Sequence, residues 1–170
     1  MNEVLVRWNL KPRAEAAKEV LPCCGSTAWA NQLAARRPIH NEVALLAACD
    51  EVWRNLPEPD WAEAFESHPR VGESCAPAAA SARSMSWSQE EQQRVTTSGE
   101  DIKCRLAEGN RAYEERFNRI FIVCATGKSA FEILEILERR LQNDDRTELL
   151  EAAEEQRHIA HIRLKKWLDS

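Results

Sequence analysis

The stretch Glu66-Ser67-His68-Pro69-Arg70-Val71-Gly72-Glu73 puts a histidine where a helix must give way to a bent loop. Pro69 cannot donate a backbone hydrogen bond and biases His68 away from helical angles, while Gly72 permits a tight turn. An imidazole gives or takes a proton near neutral pH, so His68 is a candidate proton carrier. The plainer reading is a histidine that ends a helix. A second candidate is Arg163. At helical spacing Leu149, Ala153, Gln156, Ala160 and Trp167 form one face, and Arg163 falls within it. A cation pointing inward needs a partner. That partner is either a protein carboxylate or an anionic or carbonyl-rich ligand held by the guanidinium fork. Gly127-Lys128-Ser129, after an apolar run, has part of a phosphate-binding loop. That motif needs a glycine where Ile122 stands, so nucleotide binding is not supported.

The elements that would position these residues can be read from caps, breaks and periodicity. Pro12 opens a helix over residues 13–21, stopped by Pro22, and Ser26 caps another over 27–37, stopped by Pro38. Asn41 caps a third, reaching residue 56, with Val43, Leu46, Ala47, Asp50 and Trp53 on its inner face. Asp60 is the expected N-cap of a fourth, with Glu63 in the capping-box position. Residues 73–86, rich in Ala, Ser and Pro, read as a loop. Ser88 and Glu91, in Ser88-Gln89-Glu90-Glu91-Gln92, have the spacing of a capping box, which predicts a helix starting at Ser88. Thr96-Thr97-Ser98-Gly99 breaks that run, and residues 100–117 resume it. Residues 120–125 are apolar and β-branched and read locally as a strand. Helices follow over 128–142, with an apolar stripe of Ala130, Ile133, Leu134, Leu137 and Leu141, and over 146–167.

A chain of 170 residues fits one domain, and 44% hydrophobic with 30% charged residues suits a globular protein. A net charge of −5 argues against a general nucleic-acid binder. The N-terminus lacks the basic-then-apolar layout of a signal peptide and no apolar run approaches a membrane span. A cytoplasmic protein without membrane partners is expected. The six cysteines include no Cys-x-x-Cys pair, and reduced thiols are expected, with Cys49 and Cys124 in the core. No metal site is expected: His158 and His161 share a helix face, but no cysteine or carboxylate cluster near them in sequence completes a site. Both read as solvent-exposed. On composition, a helical interaction domain without catalysis fits as well as an enzyme.

Several short motifs occur together in a specific order. They are Cys23-Cys24-Gly25-Ser26, Trp29-Ala30, Arg37-Pro38, Trp53, Asp60-Trp61 with Ala64-Phe65, and His68-Pro69-Arg70-Val71-Gly72. Next come Ser88 with Glu91-Gln92, Asn110 with Tyr113 and Phe117, Phe121-Ile122, and Gly127-Lys128. The last are Arg140-Leu141 with Asn143-Asp144, and Ile159-Ala160 with Arg163-Leu164. In this order the chain resembles the 2-oxo-4-hydroxy-4-carboxy-5-ureidoimidazoline (OHCU) decarboxylases of uric acid breakdown, over nearly its whole length. The resemblance implies an all-α fold, a single-domain bundle of about seven to eight helices spanning residues 1–170. It replaces the strand reading with a short extended segment near 120–125. It also implies a homodimer, a small-molecule substrate (OHCU) and no cofactor. It assigns catalysis to His68 with Glu91 as acidic partner, and substrate contacts to Pro69, Ser88, Gln89, Glu90, Glu91, Gln92, Ile122, Val123, Cys124, Ala125 and Arg163. Two features depart from the family pattern. Phe117-Asn118-Arg119-Ile120-Phe121 stands where the family commonly has Phe-Gly-Phe-Pro-Phe, and the loop between Gly72 and Ser88 is slightly long.

Overall fold

Asparagine and serine side chains set half of the helix starts among the described residues. Asn2, Ser26, Asn41, Ser81 and Ser129 each accept a hydrogen bond from the backbone N–H three residues on, which satisfies one of the donors a helix leaves open at its start. At Ser129 the bond is reciprocal: Glu132 accepts from the Ser129 N–H at 2.7 Å. The computed structural model describes residues 2–73 and 81–170. Among them are ten helices: α1 (Glu3–Leu10), α2 (Arg13–Cys24), α3 (Thr27–Ala35), α4 (Glu42–Arg54), α5 (Glu58–Glu66), α6 (Ala82–Glu91), α7 (Gln93–Thr96), α8 (Glu100–Phe117), α9 (Ala130–Arg140) and α10 (Asp145–Leu168). No strand occurs among the described residues, so the all-α expectation holds, with ten helices rather than seven to eight.

Several boundaries differ from those read in the sequence, each for a physical reason. Helix α1 was not expected; it buries Val4, Leu5 and Trp8 behind the Asn2 cap. Pro22 does not stop α2 but lies inside it, near the end, where it forfeits only one carbonyl partner. The stop is Gly25, at φ 89°, whose N–H closes on the Leu21 carbonyl at 2.8 Å. Asp60 lies within the first turn of α5 rather than capping it, and Glu63 instead accepts from the N–H and hydroxyl of Thr27, at 3.0 and 2.6 Å. Helix α4 buries Leu45, Cys49, Val52 and Trp53, a face rotated from the expected one, and leaves Val43 78% exposed. Helix α6 starts at Ala82 behind Ser81, so Ser88 sits inside the helix and Glu91 is its last residue. The capping-box reading of Ser88 and Glu91 is therefore wrong, because a better-placed serine starts the helix seven residues earlier. Of the expected 73–86 loop, residues 74–80, Cys75 included, lie outside the described residues, and 82–86 are helical.

The chain divides into two compact units, the first of Met1–Ala64 with Arg157–Ser170, the second of Phe65–Gln156. In the first, the Trp8 and Trp167 rings meet edge to face at 5.5 Å. Arg37 gathers the carbonyls of Trp8, Asn9 and Lys11 at 2.6, 3.3 and 2.8 Å, closing the end of α1.

In the second unit α8 packs on α9 so closely that a Cβ on Gly109 would lie 2.5 Å from Leu137. The core there includes Val71, Leu106, Tyr113, Phe121, Ile133 and Leu137. It also encloses a charged cluster. Arg140 and Glu148 are both fully buried and paired through Nε at 2.9 Å and Nη2 at 2.5 Å. Tyr113 donates its hydroxyl to the same carboxylate oxygen, and Asn143 donates to the other at 2.9 Å. Burial and that bond push the Tyr113 phenol well above its ordinary value. Replacing Arg140 by Leu would strand the Glu148 charge. The expected cost is about 3–5 kcal/mol, seen as a fall in Tm of roughly 6–20 °C for a chain of this size. Thermal denaturation checks this; a Tm unchanged in Arg140→Leu would mean the pair contributes little.

Candidate functional site

The loop around His68 is fixed at successive residues. The His68 N–H closes on the Phe65 carbonyl at 3.1 Å, the last turn after α5, and Pro69 then ends any further helical bonding. Arg70 forms a two-point pair with Glu114 of α8, at 2.5 and 2.8 Å. Asn110, also on α8 and 2% exposed, donates to the Val71 carbonyl at 2.9 Å. Gly72, at φ +85°, donates its N–H to the Gln92 side-chain oxygen at 3.1 Å. The positive φ is available to glycine without strain, which is the turn the sequence foretold. His68 is thus held in place by its neighbours and is 6% exposed.

Gln92 ties this loop to the end of α6. Pro69, Ser88, Gln89 and Gln92 line one recess together with Glu73, Met85 and Thr96. Four of the expected substrate-contact residues therefore share a wall. Ser88 is buried, Glu91 and Gln92 are half-buried, and Gln89 and Glu90 are exposed.

Ile122, Val123, Cys124 and Ala125 are all buried, in a segment that is neither helix nor strand. Its backbone is anchored by side chains. Arg140 donates to the Ile122 carbonyl at 2.7 Å and lies 4.7 Å from the centre of the Phe121 ring. Glu155 of α10 accepts from the Cys124 N–H at 2.6 Å, and Lys128 donates to the Cys124 carbonyl at 2.7 Å. Burial raises the Cys124 thiol above its ordinary value, with Lys128 opposing and the negative charges of Glu155 and Glu91 adding. The Glu91 charge at the end of α6 therefore acts on this segment. Gly127, at φ +81°, and Lys128 form a turn that leads into the Ser129 cap, which gives Gly127-Lys128-Ser129 a structural role.

Arg163 belongs to the first unit. It is fully buried, as its place in the α10 face predicts, and one guanidinium nitrogen reaches the Pro22 carbonyl at 3.4 Å. His161, on the same helix, is half-buried rather than solvent-exposed, and its Nε2 lies 2.6 Å from Asp50. Cys49 and Asp50 thus bring His161 the thiol and carboxylate that the sequence did not place near it. Asp50 is already engaged by Arg157 at 3.1 and 3.2 Å, and these bonds hold its carboxyl below the usual range against the opposing cost of burial. Arg157 and His161 therefore share the one Asp50 carboxylate.

Sequence reasoning did not single out Asn110, Arg140 or Glu155 for the parts they play. Arg140 carried a usable signal: it interrupts the apolar stripe of α9, as Arg163 does that of α10, and it is buried where Leu141 was expected. Asn110 and Glu155 carried none, since each acts on a backbone group more than thirty residues away.

A family profile described as OHCU decarboxylase matches residues 9–165. The chain belongs to the OHCU decarboxylase family. It is 33% identical, over 85% of its length, to the "Uric acid degradation bifunctional protein TTL" of Arabidopsis thaliana, and covers 44% of that protein. It is 26% identical, over 83% of its length, to the "Uric acid degradation bifunctional protein" of Bacillus sp. (strain TB-90), covering 27% of it. The chain thus spans less than half the length of these relatives. A crystal structure of OHCU decarboxylase in the presence of (S)-allantoin superimposes with a TM-score of 0.76 at 30% identity, over 89% of this chain and 98% of that one. A crystal structure of (S)-allantoin synthase shares the fold, with a TM-score of 0.70 at 19% identity, over 96% of this chain and 53% of that one. Within the OHCU decarboxylase family, the departure at Asn118 has a simple account. Asn118 takes φ 51° as the C-cap of α8, a left-handed conformation that asparagine adopts more readily than other non-glycine residues.

Proposed function

We propose that this protein converts OHCU to (S)-allantoin by decarboxylation without a cofactor, as a cytoplasmic homodimer folded as one functional domain. The observation that carries the reading is the family's histidine, His68, buried in a loop that Gln92 ties to the end of α6 beside Glu91.

The substrate carries its own electron sink. As the bond from C4 to the carboxylate breaks and CO2 leaves, the electron pair moves towards C5 and the adjacent C5=N bond accepts electrons. The nitrogen of the former C5=N bond takes up a proton, the C4 hydroxyl loses its proton and becomes a carbonyl, and C5 gains a proton, which creates the stereocentre. The protein must hold the ring, favour loss of CO2 and protonate one face. His68 delivers that proton. Glu91 orients the imidazole or handles the C4 hydroxyl. Arg163 holds ring or ureido oxygens, which a planar, permanently charged fork suits. Gln92 and the backbone of the 122–125 segment satisfy the remaining ureido and ring groups, which would otherwise lose their water partners unpaid.

The test is direct. Urate is oxidised in place to give fresh OHCU, and the circular dichroism of the product is followed with and without the protein. A faster rise of the (S)-allantoin signal is expected; an unaltered time course would remove the reading. The homodimer is checked by sedimentation at micromolar concentration, where a monomer alone would contradict it. For Arg163→Met, the expected result is a fall in kcat/KM of at least about tenfold with little change in Tm, because methionine keeps much of the volume and removes a buried charge. A sharp loss of Tm with the remaining folded enzyme fully active would instead make Arg163 half of a structural ion pair.

A further inference from the structure

In an extended run the N–H and C=O of one residue point to one edge and those of the next residue to the other. In the 122–125 segment, which is neither helix nor strand, the backbone groups held by charged side chains belong to Ile122 and Cys124. The Ile122 carbonyl is held by Arg140, the Cys124 N–H by Glu155 and the Cys124 carbonyl by Lys128, at 2.7, 2.6 and 2.7 Å. These backbone groups of Ile122 and Cys124 are therefore engaged by the protein itself. The N–H groups of Val123 and Ala125 are engaged by none of these three side chains.

We infer that Glu155 is a positioning residue for the decarboxylation: by anchoring the Cys124 N–H it aims the Val123 and Ala125 N–H groups at carbonyl oxygens of the substrate. This rests on the decarboxylase reading above. An ionised carboxylate is a stronger acceptor than a neutral oxygen, so one short bond fixes the peptide plane firmly. Donors fixed before the substrate arrives need no reorganisation when charge develops on the oxygens they face. Glu155 is half-buried and makes this contact at the surface of the core, whereas Arg140 also neutralises the buried Glu148. Glu155 can therefore be altered without stranding the buried Glu148 charge, which Arg140 cannot.

Kinetics on freshly generated OHCU with the wild type, Glu155→Gln and Glu155→Ala test the role. Glutamine keeps an acceptor oxygen for the Cys124 N–H and alanine keeps none. Glu155→Ala is expected to raise KM by about tenfold, the size of one lost oriented bond, with a smaller change in kcat and Tm near the wild-type value. Glu155→Gln should recover KM to within about threefold. In a 15N-labelled wild type, (S)-allantoin should shift the Val123 and Ala125 amide resonances, and Glu155→Ala should weaken that response. Wild-type KM in Glu155→Ala, or silent Val123 and Ala125 amides while (S)-allantoin saturates an active wild type, overturns the Glu155 assignment alone. A wild type that neither accelerates OHCU decay nor binds (S)-allantoin overturns the decarboxylase reading, and the assignment with it.

Discussion

His68→Asn is expected to abolish both the acceleration and the handedness of allantoin formation. Asparagine can keep one hydrogen bond at that position, but it cannot exchange a proton near pH 7, where an ordinary imidazole of pKa about 6.5 offers both forms. The loop should survive the change. Its bonds to Glu114, Asn110 and Gln92 are made by Arg70, Val71 and Gly72, and none passes through the histidine side chain. OHCU also decays unaided, and water protonates C5 from either face. A folded protein without its proton carrier should therefore leave slow, racemic product: OHCU disappears in the ultraviolet while no net circular dichroism develops. The loss of rate should reach roughly 10²–10⁴-fold, the usual contribution of a positioned acid or base. One enantiomer formed at near the wild-type rate would pass the role to Glu91 or to an ordered water.

Glu91→Gln should also be inactive, by a similar factor of roughly 10²–10⁴, yet close to the wild type in stability. The stability argument comes from the helix boundary. Had Glu91 been the third residue of a helix, its charge would have helped the N-terminus. It is instead the last residue of α6, where the helix dipole presents negative potential. Gln92 both ends α6 and starts α7, so the opposed helix ends leave little net effect of the dipoles on this carboxylate, and glutamine in its place should change stability little. Lost turnover at an unchanged Tm would mean that Glu91 is retained for chemistry and not for stability. Thermal denaturation and steady-state kinetics on one preparation of Glu91→Gln decide the point. Near-normal turnover would return Glu91 to a plain surface role.

The sequence by itself determined what depends on near neighbours along the chain. Ser26 and Asn41 cap the helices they were expected to cap, the break after Thr96 falls where threonine, serine and glycine cluster, and His68 marks the end of a helix because Pro69 follows it. The burial of Arg163 was legible from helical spacing, since a face is a local property of a helix. Where two local signals competed, the tertiary structure chose between them. Pro22 lies within α2 because only one bond is lost there; Ser81 starts α6 in place of Ser88; and α4 buries Leu45 and Cys49 in place of Val43 because its neighbours accept that face. Residues 120–125 have strand-like chemistry, but no strand stands beside them, and Arg140, Glu155 and Lys128 take the backbone bonds a sheet would have made. The carboxylate under His161 comes from a residue 111 positions away. Caps, breaks and faces act over one or two turns and are written in adjacent residues. The partner of a buried charge or of an unpaired peptide group is fixed only when distant helices pack, because satisfying it is a condition on the folded chain and leaves no mark on the sequence around it.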